Sequence, residues 1–160
     1  MAIRVQAALS RAGINTAGPQ LYWQLRSTTT VRLRVIEIGI SISVAPTTAP
    51  LFQISRQVSA SLGTASTTLT GQMMDSADGS SGAGVGIFES AWSVAPTIST
   101  TFHRMFGLPV TAGGGFIWTF PLDSPLVIGS AGAAQGLQIT NANASGATTG
   151  TFAAYCVWEE

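Results

Sequence analysis

Ile36-Glu37-Ile38-Gly39-Ile40-Ser41-Ile42-Ser43-Val44 decides the fold. Every even position is apolar and β-branched; the odd positions hold Glu37, Gly39, Ser41 and Ser43. Such alternation marks a strand that buries one face. Just upstream the phase reverses: Leu33 and Val35 are apolar, Arg32 and Arg34 charged. Keeping both sets inside needs an extra residue near Val35–Ile36, so a β-bulge or bend is expected there.

Outward from this strand the chain is punctuated by turn residues. Ala45 to Pro50 holds two prolines and reads as a loop. Leu51 to Val58 is the next expected strand, with Phe52, Ile54 and Val58 on one face and Gln53, Ser55 and Gln57 on the other; Arg56 falls in the apolar phase and belongs at a sheet rim. A short strand is expected near Thr67–Gly71, and Asp75 to Gly86 is a Gly/Ser/Asp-rich loop. Further strands are expected at Val85–Val94 (Phe88 and Trp92 inside), Thr100–Phe106, Phe116–Phe120, Leu126–Ile128, Leu137–Asn141 and Thr151–Trp158. Gly13 and Pro19 stop any helix begun at Gln6-Ala7-Ala8-Leu9. Eight to ten short strands without helix or fixed-period repeat predict an all-β antiparallel β-sandwich or jelly roll. The expected division is an extended N-terminal arm, residues 1–18, and one β-domain over 19–160.

Composition narrows the function. The chain has 160 residues, 46% of them apolar and only 9% charged; seven arginines balance seven acids, and lysine is absent. Without a surplus of cations a general nucleic-acid partner is not expected. The apolar residues alternate rather than run, so no membrane helix is expected, and Met1 to Gln6 lacks a signal-type apolar core. A soluble protein made in the cytoplasm fits these signs. A surface so poor in charge is best covered by partners.

The candidate chemistry is thin. Cys156 is the single cysteine, which excludes an intramolecular disulfide and a multi-cysteine zinc site, and it reads as a buried small hydrophobe. His103 is the single imidazole, set in a strand without a nucleophile motif. Asp75 and Asp78 lack the ligand pattern of a calcium loop. Pairing Asp75, Asp78, Glu89 or Asp123 into a glycosidase dyad has no specific support. Gly82–Gly84 and Gly113–Gly115 precede β sequence and are not phosphate loops; Asn143-Ala144-Ser145 reads as a chance glycosylation match. No enzyme activity, metal or cofactor is expected. Trp92, Trp118 and Trp158 suit a core or a subunit interface, while an exposed tryptophan would also suit a sugar. The segment Met1 to Gly18 reads equally as an arm laid on a neighbour or as an edge strand of its own sheet. On the arm reading Ile3, Arg4, Val5 and Arg11 contact a partner, and Trp23 joins them as an interface candidate.

The order of features also resembles a family. Arg34-Val35-Ile36-Glu37-Ile38 leads through Ser41–Pro50 to Phe52-Gln53-Ile54-Ser55-Arg56. Gly115-Phe116-Ile117-Trp118 leads to Pro121-Leu122 and Pro125-Leu126-Val127, and the chain closes with Tyr155-Cys156-Val157-Trp158-Glu159-Glu160. From about residue 31 onward this resembles small all-β structural proteins of tailed bacteriophages, including those that decorate or cement the capsid. The resemblance implies a virion protein on the phage head surface, a homo-oligomer such as a trimer, with the major capsid protein as partner. It transfers no catalytic residue. The alternative is a tail- or fibre-associated carbohydrate-binding β-sandwich.

Overall fold

The computed structural model describes residues 3–12, 20–27, 31–57, 63–75, 86–99, 101–129, 135–142 and 149–160. Among them the protein is an antiparallel β-sandwich of twelve strands. These are β1 (Arg4–Ala12), β2 (Gln20–Ser27), β3 (Leu33–Val44), β4 (Leu51–Gln57), β5 (Thr64–Leu69), β6 (Gln72–Met73), β7 (Gly86–Val94), β8 (Arg104–Gly107), β9 (Gly115–Thr119), β10 (Leu126–Ile128), β11 (Gly136–Asn141) and β12 (Thr151–Glu159). Sheet A runs β10-β3-β12-β1-β6, with β9 sharing the β10 side of β3; sheet B runs β5-β7-β2-β11-β4-β8. The count exceeds the eight to ten expected, because β1, β2 and the two-residue β6 carry weak apolar alternation.

The bulge foreseen in β3 is present at Ile36. Val157 of β12 lies opposite Glu37 and Trp158 opposite Val35, leaving Ile36 as the extra residue. That one insertion brings Leu33 and Val35 into the same interior as Ile38, Ile40 and Ile42. The freed Ile36 carbonyl accepts the Phe120 amide at 2.7 Å.

Aromatic residues from both sheets fill the space between them. Tyr22 of sheet B meets Phe152 of sheet A and Phe52, with ring centroids 5.8 Å apart in both cases, and Trp23 meets Phe88 at 4.8 Å. A second bulge, in β2, leaves Tyr22 without a residue opposite it on β11, so both Tyr22 and Trp23 are buried. The Tyr22 hydroxyl reaches the carbonyls of Phe152 at 2.6 Å and Arg11 at 2.9 Å, tying β2 to sheet A. Burial is the main cause that raises the Tyr22 pKa far above its ordinary range. Full burial of an apolar side chain contributes about 1.5–3 kcal/mol, so this cluster is a principal clamp between the sheets.

The N-terminal segment is corrected here. Arg4–Ala12 is a strand of sheet A, paired along its length with β12 from Arg4 opposite Glu159 to Ala12 opposite Thr151, and flanked beyond by β6. It is part of the domain rather than an arm outside it, and Val5 and Ala7 belong to the core. Residues 13–19, the rest of the expected arm, lie outside the described residues.

Candidate binding face

Residues directly opposite in an antiparallel ladder share a face, so the register maps the outer surface of sheet A. At one end Arg34, Glu159 and Arg4 lie in a row, and Arg4 bridges Glu159 at 2.8 Å. Next come Thr119, Glu37, Val157, Gln6 and Gln72. The middle row is Ile117, Gly39, Tyr155 and Ala8, followed by Gly115, Ser41, Ala153 and Ser10. Beyond the charged end, Glu37 is the single ionisable carboxylate in these rows.

Tyr155 organises the middle. A Cβ on Gly39 would fall 2.0 Å from the Tyr155 ring, so the ring lies on bare glycine backbone. Its hydroxyl donates to Glu37 at 2.5 Å, and the Thr119 hydroxyl donates to the other Glu37 oxygen at 3.3 Å. Burial first, and then the Glu37 carboxylate, push the Tyr155 pKa up to about 12. Depressions of about 530 and 490 Å³ flank the ring. The first is bounded by Ile117, Phe116 and the Gly113–Gly115 turn, where Gly113 takes a φ of 84°; the second is bounded by Gln6, Ala8, Thr70 and Gln72. Ile117 is 64% exposed beside the first. The face thus offers one anchored aromatic ring, small neighbours and amide and hydroxyl groups at its flanks. It can stack, fill a pocket and hydrogen-bond.

The interface residues expected from the sequence do not gather on this face. Arg4 does reach it, at its charged end. Ile3 is half-buried and exchanges backbone hydrogen bonds with Glu160. Val5 and Trp23 are core residues, 2% and 0% exposed, and are corrected as partner contacts. Arg11 is corrected too: its guanidinium turns inward to the carbonyls of Leu21, Tyr22 and Ser90, so it joins the two sheets. Tyr155 was missed because its role depends on Gly39 lying opposite, which is a matter of register rather than sequence.

The other candidates fall apart in space. Glu89 is buried and paired with Arg26 at 2.8 Å. Asp75 and Asp123 are exposed, and Asp78, Gly82–Gly84 and Asn143–Ser145 lie outside the described residues. His103 is exposed, its pKa lowered first by desolvation and then by the charge of Arg56. Cys156 is fully buried, which pushes its thiol pKa far up. Among the described residues no group of three His, Cys, Asp or Glu is placed to hold a metal. Comparison of the chain with known protein families, with curated proteins and with solved structures finds no match.

Proposed function

We propose that this protein is a virion structural protein, a decoration or cement protein that joins copies of itself and the major capsid protein on the outside of a phage head. The observation that carries this reading is the outer face of sheet A, broad and nearly free of charge around Tyr155. Covering such a face costs little desolvation, and buried aromatic anchors such as tyrosine dominate the energy of protein interfaces. The strand order supports a jelly roll: with β5, β6, β7 and β10 set aside, β1-β12-β3-β9 faces β2-β11-β4-β8. A homotrimer is the proposed assembly. Light scattering on the full chain at micromolar concentration tests it, together with co-sedimentation with capsids of the encoding phage. Trimers that bind capsids are expected; a monomer that ignores capsids overturns the reading.

A second reading has its own observation. The Tyr155 ring between two depressions, with Gln6, Gln72 and Glu37 at hand, is the donor and stacking set that a sugar ring requires. A glycan screen of the monomer tests it, and binding lost in Tyr155→Ala without any change in oligomeric state would favour this reading over assembly.

A further inference from the structure

Of the chain's seven arginines, Arg34 lies opposite Glu159 on the outer face of sheet A, and the other six divide into two groups. Arg4 and Arg26 are paired with Glu159 and Glu89. Arg11 is spent on backbone carbonyls, and Arg104 lies 4.3 Å from the centre of the Trp118 ring. Arg32 and Arg56 form no ion pair among the described residues, yet both line one cavity of about 400 Å³ with Pro125, Val127, Gly129 and Gln135.

The topology brings them together. Ile128 opposite Leu33 sets the end of β10 beside the start of β3, and hence Gly129 beside Arg32. Leu137 opposite Arg56 sets the start of β11 beside the end of β4, so Gln135, two residues before Leu137, lies diagonal to Arg56 and lines the same cavity. Each sheet delivers one arginine to the same end of the sandwich. A Cβ on Gly129 would fall 1.7 Å from Gln135 Oε1, so the glutamine side chain lies over that glycine, inside the cavity.

Among the described residues no acid forms an ion pair with these cations. Glu37, Glu89, Glu159 and Glu160 are hydrogen-bonded elsewhere. The stretches 28–30, 58–62 and 130–134 contain no Asp or Glu, and Asp123, two residues before Pro125, is exposed and in no ion pair among the described residues. Two guanidinium groups converging without a carboxylate repel one another, and a bound anion removes that repulsion. Their planar forks match the paired oxygens of carboxylates and phosphoryl groups.

We propose that this cavity binds an oxyanion, a carboxylate or phosphoryl group held between Arg32 and Arg56, with the Gln135 amide as third donor and Pro125 and Val127 walling the body that carries it. The site is separate from the Tyr155 face, so it stands whichever reading of that face holds. The test is calorimetric titration of the full chain with inorganic phosphate and with acetate, paired with thermal unfolding in each against chloride at matched ionic strength. The expected result is saturable binding and a raised unfolding midpoint, with the phosphate and acetate arms showing which group is preferred. R32Q and R56Q should each weaken binding roughly tenfold or more, the scale of a lost hydrogen bond to a charged group. R34Q, which removes an exposed arginine outside the cavity, should leave binding unchanged. No saturable binding of either anion, or equal binding by wild type and the R32Q/R56Q double variant, overturns the proposal.

Discussion

The outer faces of the two sheets differ in what covers them. Sheet A presents Tyr155, Ile117, Ala8, Ser10 and Gln6 with open space on either side of the ring. Sheet B carries the more polar set, Gln24, Ser55, Gln57, Glu89, Gln138 and Thr140, and all of these are buried. They are covered by their own chain. Gln138 donates to the Thr97 carbonyl at 3.0 Å and to Gln57 at 2.9 Å, and its own carbonyl accepts the Ser99 amide at 3.3 Å. Gln24 and Arg26 both donate to Glu89. The more apolar face is open and the polar face is closed from within. Polarity along a strand therefore shows which side faces away from the core, but not whether water lies there.

The largest expected effect concerns the frame that both faces share. Deleting residues 1–12 removes β1 from between β12 and β6, and the truncated chain should show no cooperative unfolding by circular dichroism. A folded truncation would restore the arm reading. Glu89→Ala comes next. It strands Arg26 and Gln24 beneath a covered face, and denaturant unfolding should show a loss of about 3–5 kcal/mol. Glu37→Gln on the open face should cost no more than about 1 kcal/mol. Equal losses would break the contrast between the faces.

Gly39→Ala sharpens the contrast further. The added methyl displaces the Tyr155 ring, at about 1–3 kcal/mol for an overpacked contact. The variant should stay folded, and on the assembly proposal its light-scattering mass, like that of Tyr155→Ala, should fall towards the monomer. The smallest effect is alkaline. Tyr155 keeps its proton up to about pH 12 in the folded protein against an ordinary value of 10.0. Its contribution to stability is therefore whole below pH 10, then shrinks as pH rises towards 12, because the unfolded chain releases the proton first. Both tyrosines of the chain are shifted upward, so the tyrosinate absorbance should stay near zero at pH 10. Tyr155→Phe should flatten the loss of stability above that pH.

The legible parts of the fold were those in which a local pattern has one physical solution. The phase reversal at Val35–Ile36 admits little but a bulge, and the structure has one. Arg56 in an apolar phase reads as a rim residue and is exposed. β1 was half legible, because its inward residues include Ala7, a small side chain where the large Trp158 and Phe152 of neighbouring β12 fill the interior. Trp23 misled because a tryptophan after a loop-like stretch looks like an anchor for a partner, whereas it lies opposite Ile139 in phase with the core residue Leu25, and the bulge at Tyr22 brings its neighbour into the same interior. Ser55 and Gln57 read as solvated, since alternation cannot tell water from the covering segment at Thr97–Ser99. The arginine cavity and the Tyr155–Gly39 contact depend on register between strands far apart in sequence.

The position of β12 has a consequence in time. This strand sits between β1 and β3 in the middle of sheet A and supplies Phe152, Ala154, Cys156 and Trp158 to the core, yet the ribosome makes it after every other strand described. Until residues 151–159 emerge, β1 has no partner to bind it to β3, and the hydrophobic faces of both remain unsatisfied. Folding of sheet A is thereby delayed until residues 151–159 are made, as expected where pairing joins distant segments. A chain terminated before residue 151 lacks the central strand of sheet A and leaves the inward faces of β1 and β3 uncovered.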